Sequence, residues 1–286
     1  MGYEIINVDT SVGPVGAVIT GVDISKTLSA QALSEVTAAW HRHHVVFFRD
    51  QVLTPTQQAD FAANFGELDV YPFMNAVESN PHVIPIIKEP DAEMNFGGAW
   101  HTDTSYVEKP PKATLLYAVE VPDVGGDTLF ADSTRAFHDL SDGLKATLER
   151  ESGIYTPKLV HGSEGSYKQA AARNEMAADY GGAADIAERE FEHPLIRTHA
   201  ETGEKSIYCS LPHTHRIKGW TREESVPLFK YLTRLCTQDD YVTRFKWKKG
   251  SLAMWDNRCL FHNALNDYQG KRRHMHRVIV QGEKPQ

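Results

Sequence analysis

Cysteine is scarce in this 286-residue chain: Cys209, Cys236 and Cys259 are widely spaced and odd in number. That excludes a disulfide framework and a zinc-ribbon spacing and points to a reducing compartment. Long apolar runs are missing as well. No stretch approaches the roughly 20 residues that cross a bilayer, so no membrane association is expected. A basic excess is also absent. With 30 Lys and Arg against 38 Asp and Glu the formal charge is −8, the wrong sign for nonspecific binding to nucleic acid or acidic membranes. A small anionic ligand held by a local arginine cluster stays open. The N-terminal Met1-Gly2-Tyr3-Glu4-Ile5-Ile6 carries no basic segment ahead of an apolar run, and the expectation is a cytoplasmic protein. With no internal repeat and no linker, residues 1–286 are expected to form a single domain.

Residues 3–8 and 15–20 read as short strands split by a Gly-Pro turn. Leu33, Val36 and Trp40 are spaced for a helix over 29–41, and 44–48 is an apolar run that predicts a buried strand. Thr54-Pro55-Thr56-Gln57 has the form of a capping box with proline at the first helical position, opening a helix to about Phe65 that Gly66 ends. A further strand is expected at 83–87, and 95–98 reads as a mobile approach to the segment at 100–103. Alternation of Ala113, Leu115, Tyr117 and Val119 predicts a strand over 112–121, with Gly125-Gly126-Asp127 a turn and Thr128-Leu129-Phe130 the return strand. One or two helices are expected in 133–150 and another near 221–236. Strands are expected near 193–198, 205–209, 241–247, 251–255 and 274–281. Residues 161–190, dominated by Gly, Ser, Ala and charge, read as a lid-like insertion over the active site, with a plain flexible loop as an equal alternative. Many short strands with helices gathered in a few places predict the α+β class, with a sandwich or barrel as scaffold.

The chemistry centres on Trp100-His101-Thr102-Asp103. On an extended strand His101 and Asp103 face the same side. With His262 they make two histidines and one carboxylate, a set that leaves coordination positions open and suits non-haem iron(II). Fourteen histidines make any one pair weak by itself. His213 and His215 have no cysteine or clear acidic partner to complete a zinc site. His274 and His276 sit among Arg272, Arg273 and Arg277, which disfavours a cation, and the cluster at His41, His43 and His44 remains a further competitor. Arg273 and Arg277 share a strand face with Met275. If a hairpin or loop over 266–270 returns the chain, both guanidiniums reach one cavity. Arginine grips carboxylates bidentately, so an iron site beside such a receptor would serve a 2-oxoacid. A solvated basic turn is the plain alternative for Arg272 and Arg273.

These motifs together resemble the taurine dioxygenase family of Fe(II)- and 2-oxoglutarate-dependent enzymes. The resemblance is carried by Trp100-His101-Thr102-Asp103, Gly125-Gly126-Asp127-Thr128, Trp255-Asp256-Asn257-Arg258 followed by His262, Asp267-Tyr268, Arg272-Arg273 and Met275-His276-Arg277. It runs from Gly16-Ala17-Val18-Ile19-Thr20-Gly21-Val22-Asp23 through Phe65-Gly66-Glu67-Leu68 to Gly282-Glu283-Lys284-Pro285. It implies that His101, Asp103 and His262 ligate iron and that Arg273 and Thr128 hold the distal carboxylate of 2-oxoglutarate. Arg277 would lie near the cosubstrate's metal-bound end and contact an anionic group of the primary substrate. The implied fold is a double-stranded β-helix (jelly-roll) core flanked by helices, in a homodimer or homotetramer. The implied reaction uses O2, releases succinate and CO2, and hydroxylates a C–H bond.

The chain departs from the family's taurine pattern on the substrate side. Tyr71-Pro72 stands where that pattern has His-Pro, Met74 where it has tyrosine, His213 where it has an aromatic, and Gly97 where it has asparagine, with Asn95 close by. The expected substrate is therefore a small organic anion (sulfonate, carboxylate, sulfate ester or aryloxy acid) held by Arg277, with Tyr71, Asn95 and His213 shaping the pocket. Asp103 argues against halogenation, since related halogenases leave that position empty for chloride. The alternatives are desaturation or other oxidation of a larger natural product, a zinc-dependent hydrolase on the same ligands, and a binding protein without catalysis.

Overall fold

The computed structural model describes residues 2–163, 165–173, 175 and 186–286. Its strands are β1 (Asn7–Asp9), β2 (Ala17–Thr20), β3 (Val45–Phe48), β4 (Ile84–Lys88), β5 (Ala113–Glu120), β6 (Thr128–Asp132), β7 (Ser152–Tyr155), β8 (Phe191–Pro194), β9 (Ile196–Thr198), β10 (Lys205–Ile207), β11 (Thr214–Ile217), β12 (Val242–Phe245), β13 (Leu252–Asp256), β14 (Leu260–Ala264) and β15 (Arg273–Val280). The helices are α1 (Ala30–His43), α2 (Pro55–Ala63), α3 (Ser133–His138), α4 (Asp142–Leu148), α5 (Lys158–His161), α6 (Ser166–Ala172) and α7 (Arg222–Cys236). None of these helices is long and apolar enough to cross a membrane. The mixed α and β composition around a sheet-rich core agrees with the expected class.

The large sheet has the order β1-β2-β3-β13-β5-β15-β4, antiparallel except for the parallel β2–β3 pair. A smaller antiparallel sheet, β12-β6-β14, lies against it. The alternation along β5 explains its central place: Ala113, Leu115 and Tyr117 enter one core, Leu116 and Ala118 the other. The first core packs the large sheet under α1 and α2, through Val36, Trp40, Phe61, Leu115, Met254 and Val278. The second fills the gap between the two sheets. There Phe47 stacks on Phe245 (centroids 3.9 Å, 7°) and meets Phe130 edge-on at 5.5 Å. The third joins the outer face of the small sheet to α3 and α7 through Ala131, Phe261, Phe137, Phe229 and Leu232. The site lies between the sheets.

Local signals held where they were chemically specific. Thr54 and Gln57 form the reciprocal cap that opens α2, with Pro55 at its start. The apolar run at 44–48 forms β3, buried along its whole length. Other expectations need correction. The strand expected at 3–8 shrinks to β1, because the backbone N–H groups of Glu4, Ile5 and Ile6 are taken by the Glu35 carboxylate instead of a ladder. Residues 128–130 do not return beside β5. Gly125 and Gly126 take positive φ (85° and 70°) and carry the chain across to the small sheet, where β6 pairs with β12 and β14. A Cβ on Gly125 would lie 2.7 Å from the Asp267 carbonyl oxygen, so this crossing requires glycine. Of the hairpin or loop expected over 266–270, the loop forms: it runs between sheets, since β14 pairs with β6 and β15 with β4 and β5. β7, β11 and β14 were not anticipated. Within the segment read as a lid, α5 and α6 are described, while residues 164, 174 and 176–185 lie outside the described residues.

Candidate active site

His262 projects from β14, and a single antiparallel bridge ties it to His101, with N–H to carbonyl distances of 3.1 and 2.8 Å in the two directions. His101 and Asp103 are therefore not on a regular strand: the chain turns at once, with Thr104 at φ 47°. The bridge, rather than strand alternation, brings the pair to His262. One atom from each residue, two imidazole nitrogens and a carboxylate oxygen, lie within 4.8 Å of one another. His101 Nε2 and His262 Nε2 are 3.6 and 3.7 Å from Asp103 Oδ1. His101 Nδ1 lies 2.6 Å from the Ala99 carbonyl oxygen. A carbonyl only accepts, so Nδ1 carries a proton, and Nε2 is the nitrogen turned toward Asp103. Burial pushes His262 down to about 3, which keeps it neutral. Burial works to raise the Asp103 carboxyl, but Arg277, His262 and His101 outweigh it and hold it well below the usual carboxylate range. Two imidazoles and one carboxylate, leaving a face uncovered, are the donor set of a non-haem divalent metal of the iron class. The residues fit such an ion.

Two chambers meet at this cluster. The first, about 420 Å³, is lined by Ile86, Leu116, Thr128, Trp255, Arg273 and Arg277 together with the cluster itself. Arg273 is buried at 5% exposure, its Nε and Nη2 lack a hydrogen-bond partner among the described residues, and its guanidinium lies 5.7 Å from the Trp247 ring. Burial lowers its pKa. Thr128 Oγ1 accepts from Trp247 Nε1 at 2.9 Å, so its own proton remains to be given. A buried cation with unused donors beside a hydroxyl is a receptor for an anion.

The second chamber, about 370 Å³, is walled by Tyr71, Tyr106, His161, Tyr167 and His213, with Arg277 beside Asp103. Arg277 Nη2 is 3.0 Å from Asp103 Oδ1, and its guanidinium lies 5.0 Å from the Tyr71 ring. Tyr71 Oη is 3.3 Å from Tyr106 Oη and 3.2 Å from His161 Nε2. His161 stacks on Phe73 (4.1 Å, 7°), and burial pushes it down to about 3, so it is neutral. His213 Nδ1 is 3.2 Å from Ser105 Oγ, its ring edge-on to Tyr106.

The structure thus brings together His101, Asp103, His262, Thr128, Arg273, Arg277, Tyr71 and His213. Asn95 stands apart. Its Nδ2 donates to the carbonyls of Ala264 and Leu265 at 2.9 and 3.3 Å, so it holds the end of β14 instead of facing the second chamber. The same bonds, with Tyr167 Oη accepting from Gly97 N–H at 2.8 Å, pin the stretch expected to be a mobile approach. Arg272 pairs outward with Glu89 and Glu120, as a solvated basic turn would. Sequence reasoning missed Tyr106, His161, Tyr167 and Trp247. Tyr106, three residues past Asp103, carried a positional signal, and His161 and Tyr167 fall in the segment read as a lid.

A family profile described as taurine catabolism dioxygenase TauD, TfdA family matches residues 8–279. The chain is 32% identical over 282 residues to an alpha-ketoglutarate-dependent sulfate ester dioxygenase of Pseudomonas putida, covering 98% of this chain and 91% of the relative. A crystal structure of a taurine dioxygenase from Burkholderia xenovorans superposes with a TM-score of 0.80 at 31% identity, covering 99% and 91%. That of AAD-2 in complex with Mn(II) and N-oxalylglycine superposes at 0.78 and 28% identity, covering 99% of both chains. On this likeness along nearly its whole length, the chain belongs to the TauD/TfdA family and is, like its relatives, an oxidoreductase that depends on 2-oxoglutarate and a metal.

Proposed function

We propose that this protein holds Fe(II) on His101, Asp103 and His262, takes 2-oxoglutarate into the Arg273 chamber, and hydroxylates a C–H bond of a small organic anion in the Arg277 chamber. The observation that carries this reading is the meeting of two chambers at one cluster of two histidines and a carboxylate, with buried Arg273 in the first alone and buried Arg277 where the two adjoin. When bound, the metal supplies activation of O2, coupled to conversion of 2-oxoglutarate into succinate and CO2 and insertion of one oxygen atom into the substrate C–H bond. The facing antiparallel sheets support reading the core as a double-stranded β-helix.

The chain's own residues divide the remaining work. Arg273 and Thr128 bind the far carboxylate of 2-oxoglutarate and fix its depth in the chamber. Arg277 neutralises the substrate's anionic group, a sulfonate, sulfate ester or carboxylate, and so aims the adjacent carbon at the metal face. Tyr71, Tyr106, His161 and His213 wall that carbon off from water with uncharged surfaces. His161 and Tyr167, from the segment read as a lid, close one side. Where the hydroxylated carbon bears a heteroatom, the product collapses and the substrate is cleaved. Three free, buried cysteines fit a reducing compartment, and we place the protein in the cytoplasm.

The test is anaerobic absorption spectroscopy with Fe(II) and 2-oxoglutarate, followed by O2 and a panel of alkyl sulfates, sulfonates and aryloxy acids with succinate as the readout. A weak visible charge-transfer band that needs both additions, and succinate release stimulated by a panel member, are the expected results. Folded protein with no band sinks the reading and returns a zinc hydrolase to first place.

A further inference from the structure

The turn between β13 and β14, Asp256-Asn257-Arg258, has no exposed surface. Asn257 is held by its backbone on both sides: its N–H donates to the Lys112 carbonyl at 2.9 Å, and its carbonyl accepts from Thr102 Oγ1 at 2.5 Å. Its side-chain orientation is set by Trp255, whose indole Nε1 can only donate and lies 2.9 Å from Asn257 Oδ1. That oxygen also faces the Asp103 N–H at 3.3 Å. The amide nitrogen is therefore on the other side, where it donates to Thr114 Oγ1 at 2.9 Å. A hydroxyl that accepts this bond gives its own proton onward, and Thr114 Oγ1 lies 2.7 Å from Asp103 Oδ2. The relay from Trp255 through Asn257 and Thr114 to Asp103 has one direction. It leaves Asp103 Oδ1 as the oxygen that faces His101 and His262.

We infer that Thr114 and Asn257 are positioning residues for the metal: they occupy Asp103 Oδ2 and hold Oδ1 toward His101 and His262 as the oxygen offered to the ion. This rests on the function proposed above. A carboxylate free to rotate would turn Oδ1 away from His101 and His262 and weaken the donor set. Underneath, Arg258 grips Asp256 with Nε and Nη2 at 2.8 and 2.7 Å and reaches Glu201, while His199 Nε2 meets Asp256 Oδ2 at 3.0 Å. His199, Asp256 and Cys259 lie close enough to share a cation. Arg258 already fills both Asp256 oxygens, so that cluster acts as the rigid base of the turn.

The test is titration of the full-length protein with Mn(II), following the free-ion electron paramagnetic resonance signal without 2-oxoglutarate. Thr114→Val keeps the shape of the side chain and removes the donor. It is expected to weaken Mn(II) binding by roughly 10–100-fold, the range for lost supports of metal ligands, while Thr114→Ser restores it to within about threefold of the parent. Thermal unfolding of the metal-free proteins reports packing separately. Should Thr114→Val not fold, Thr114→Cys, whose thiol is a weak donor, reads the same bond. Parent-like Mn(II) affinity in folded Thr114→Val overturns the inference, as does a Thr114→Ser variant as weak as Thr114→Val. A parent protein that binds no Mn(II) refutes the metal reading itself, a result distinct from either.

Discussion

Replacing Arg273 with methionine separates two effects of opposite sign. In the ligand-free protein Arg273 is a buried cation with two nitrogens lacking hydrogen-bond partners among the described residues and its guanidinium 5.7 Å from the Trp247 ring. A buried polar group left unpaired costs about 1–3 kcal/mol, and more when charged. Methionine fills similar space without that cost, so the thermal midpoint of the ligand-free variant is expected to stay level or rise, by roughly 2–4 °C per kcal/mol recovered. Cosubstrate binding moves the other way. Removing one partner of a buried, hydrogen-bonded charge pair costs about 2–5 kcal/mol. At 1.4 kcal/mol per tenfold that raises the apparent Kd for 2-oxoglutarate by roughly 30- to 4,000-fold. The assay is titration of the Fe(II) protein with 2-oxoglutarate under anaerobic conditions, paired with differential scanning calorimetry of the metal-free protein. A 2-oxoglutarate affinity changed by less than about threefold would show that the unpaired guanidinium is not the carboxylate receptor. A fall in midpoint would show that its burial is already compensated in the free protein.

The pair His44–Asp132, with Nδ1 to Oδ1 at 3.5 Å, gives stability a pH dependence. Burial acts to lower His44, but Asp132 outweighs it and raises it above 6.5; burial acts to raise Asp132, but His44 and the N–H groups of Arg135 and Thr134 hold it below 3.8. The His44 contribution is complete below pH 6.5 and fades as pH rises through its raised value, while the Asp132 contribution is complete above 3.8 and fades as pH falls. The midpoint difference between parent and His44→Gln is therefore expected to be largest between those limits and to shrink on either side; a difference independent of pH would contradict the assignment. Phe47→Ala removes the ring that stacks on Phe245 and meets Phe130. It is expected to destabilise by about 3–5 kcal/mol in chemical denaturation, and a loss under about 1 kcal/mol would mean that the sheets are not joined there.

Local chemistry was the legible part of this chain. The cap at Thr54 and Gln57, the apolar run of β3, the alternation of β5 and the common face of Arg273, Met275 and Arg277 could all be read before any contact was known. Each rests on neighbours a few residues away and on periods of 2 or 3.6. Periodicity says what a segment buries but not against what. The partner of β6 was therefore misjudged, and β14 escaped notice although it carries His262. Asn95 shows the same limit: its position near the motif drew attention, but its amide is used by carbonyls 169 and 170 residues away.

The amino-acid sequence by itself determined the donor set, because these His, Asp and Arg side chains carry that chemistry and their ordered motifs resemble one family. Tertiary structure alone decided how the donors meet. A bridge between His101 and His262, the meeting of two chambers at the same cluster, and the relay through Thr114 and Asn257 to one oxygen of Asp103 join residues up to 161 positions apart. Such contacts depend on which sheet each strand enters, and that is settled by burial over the whole chain.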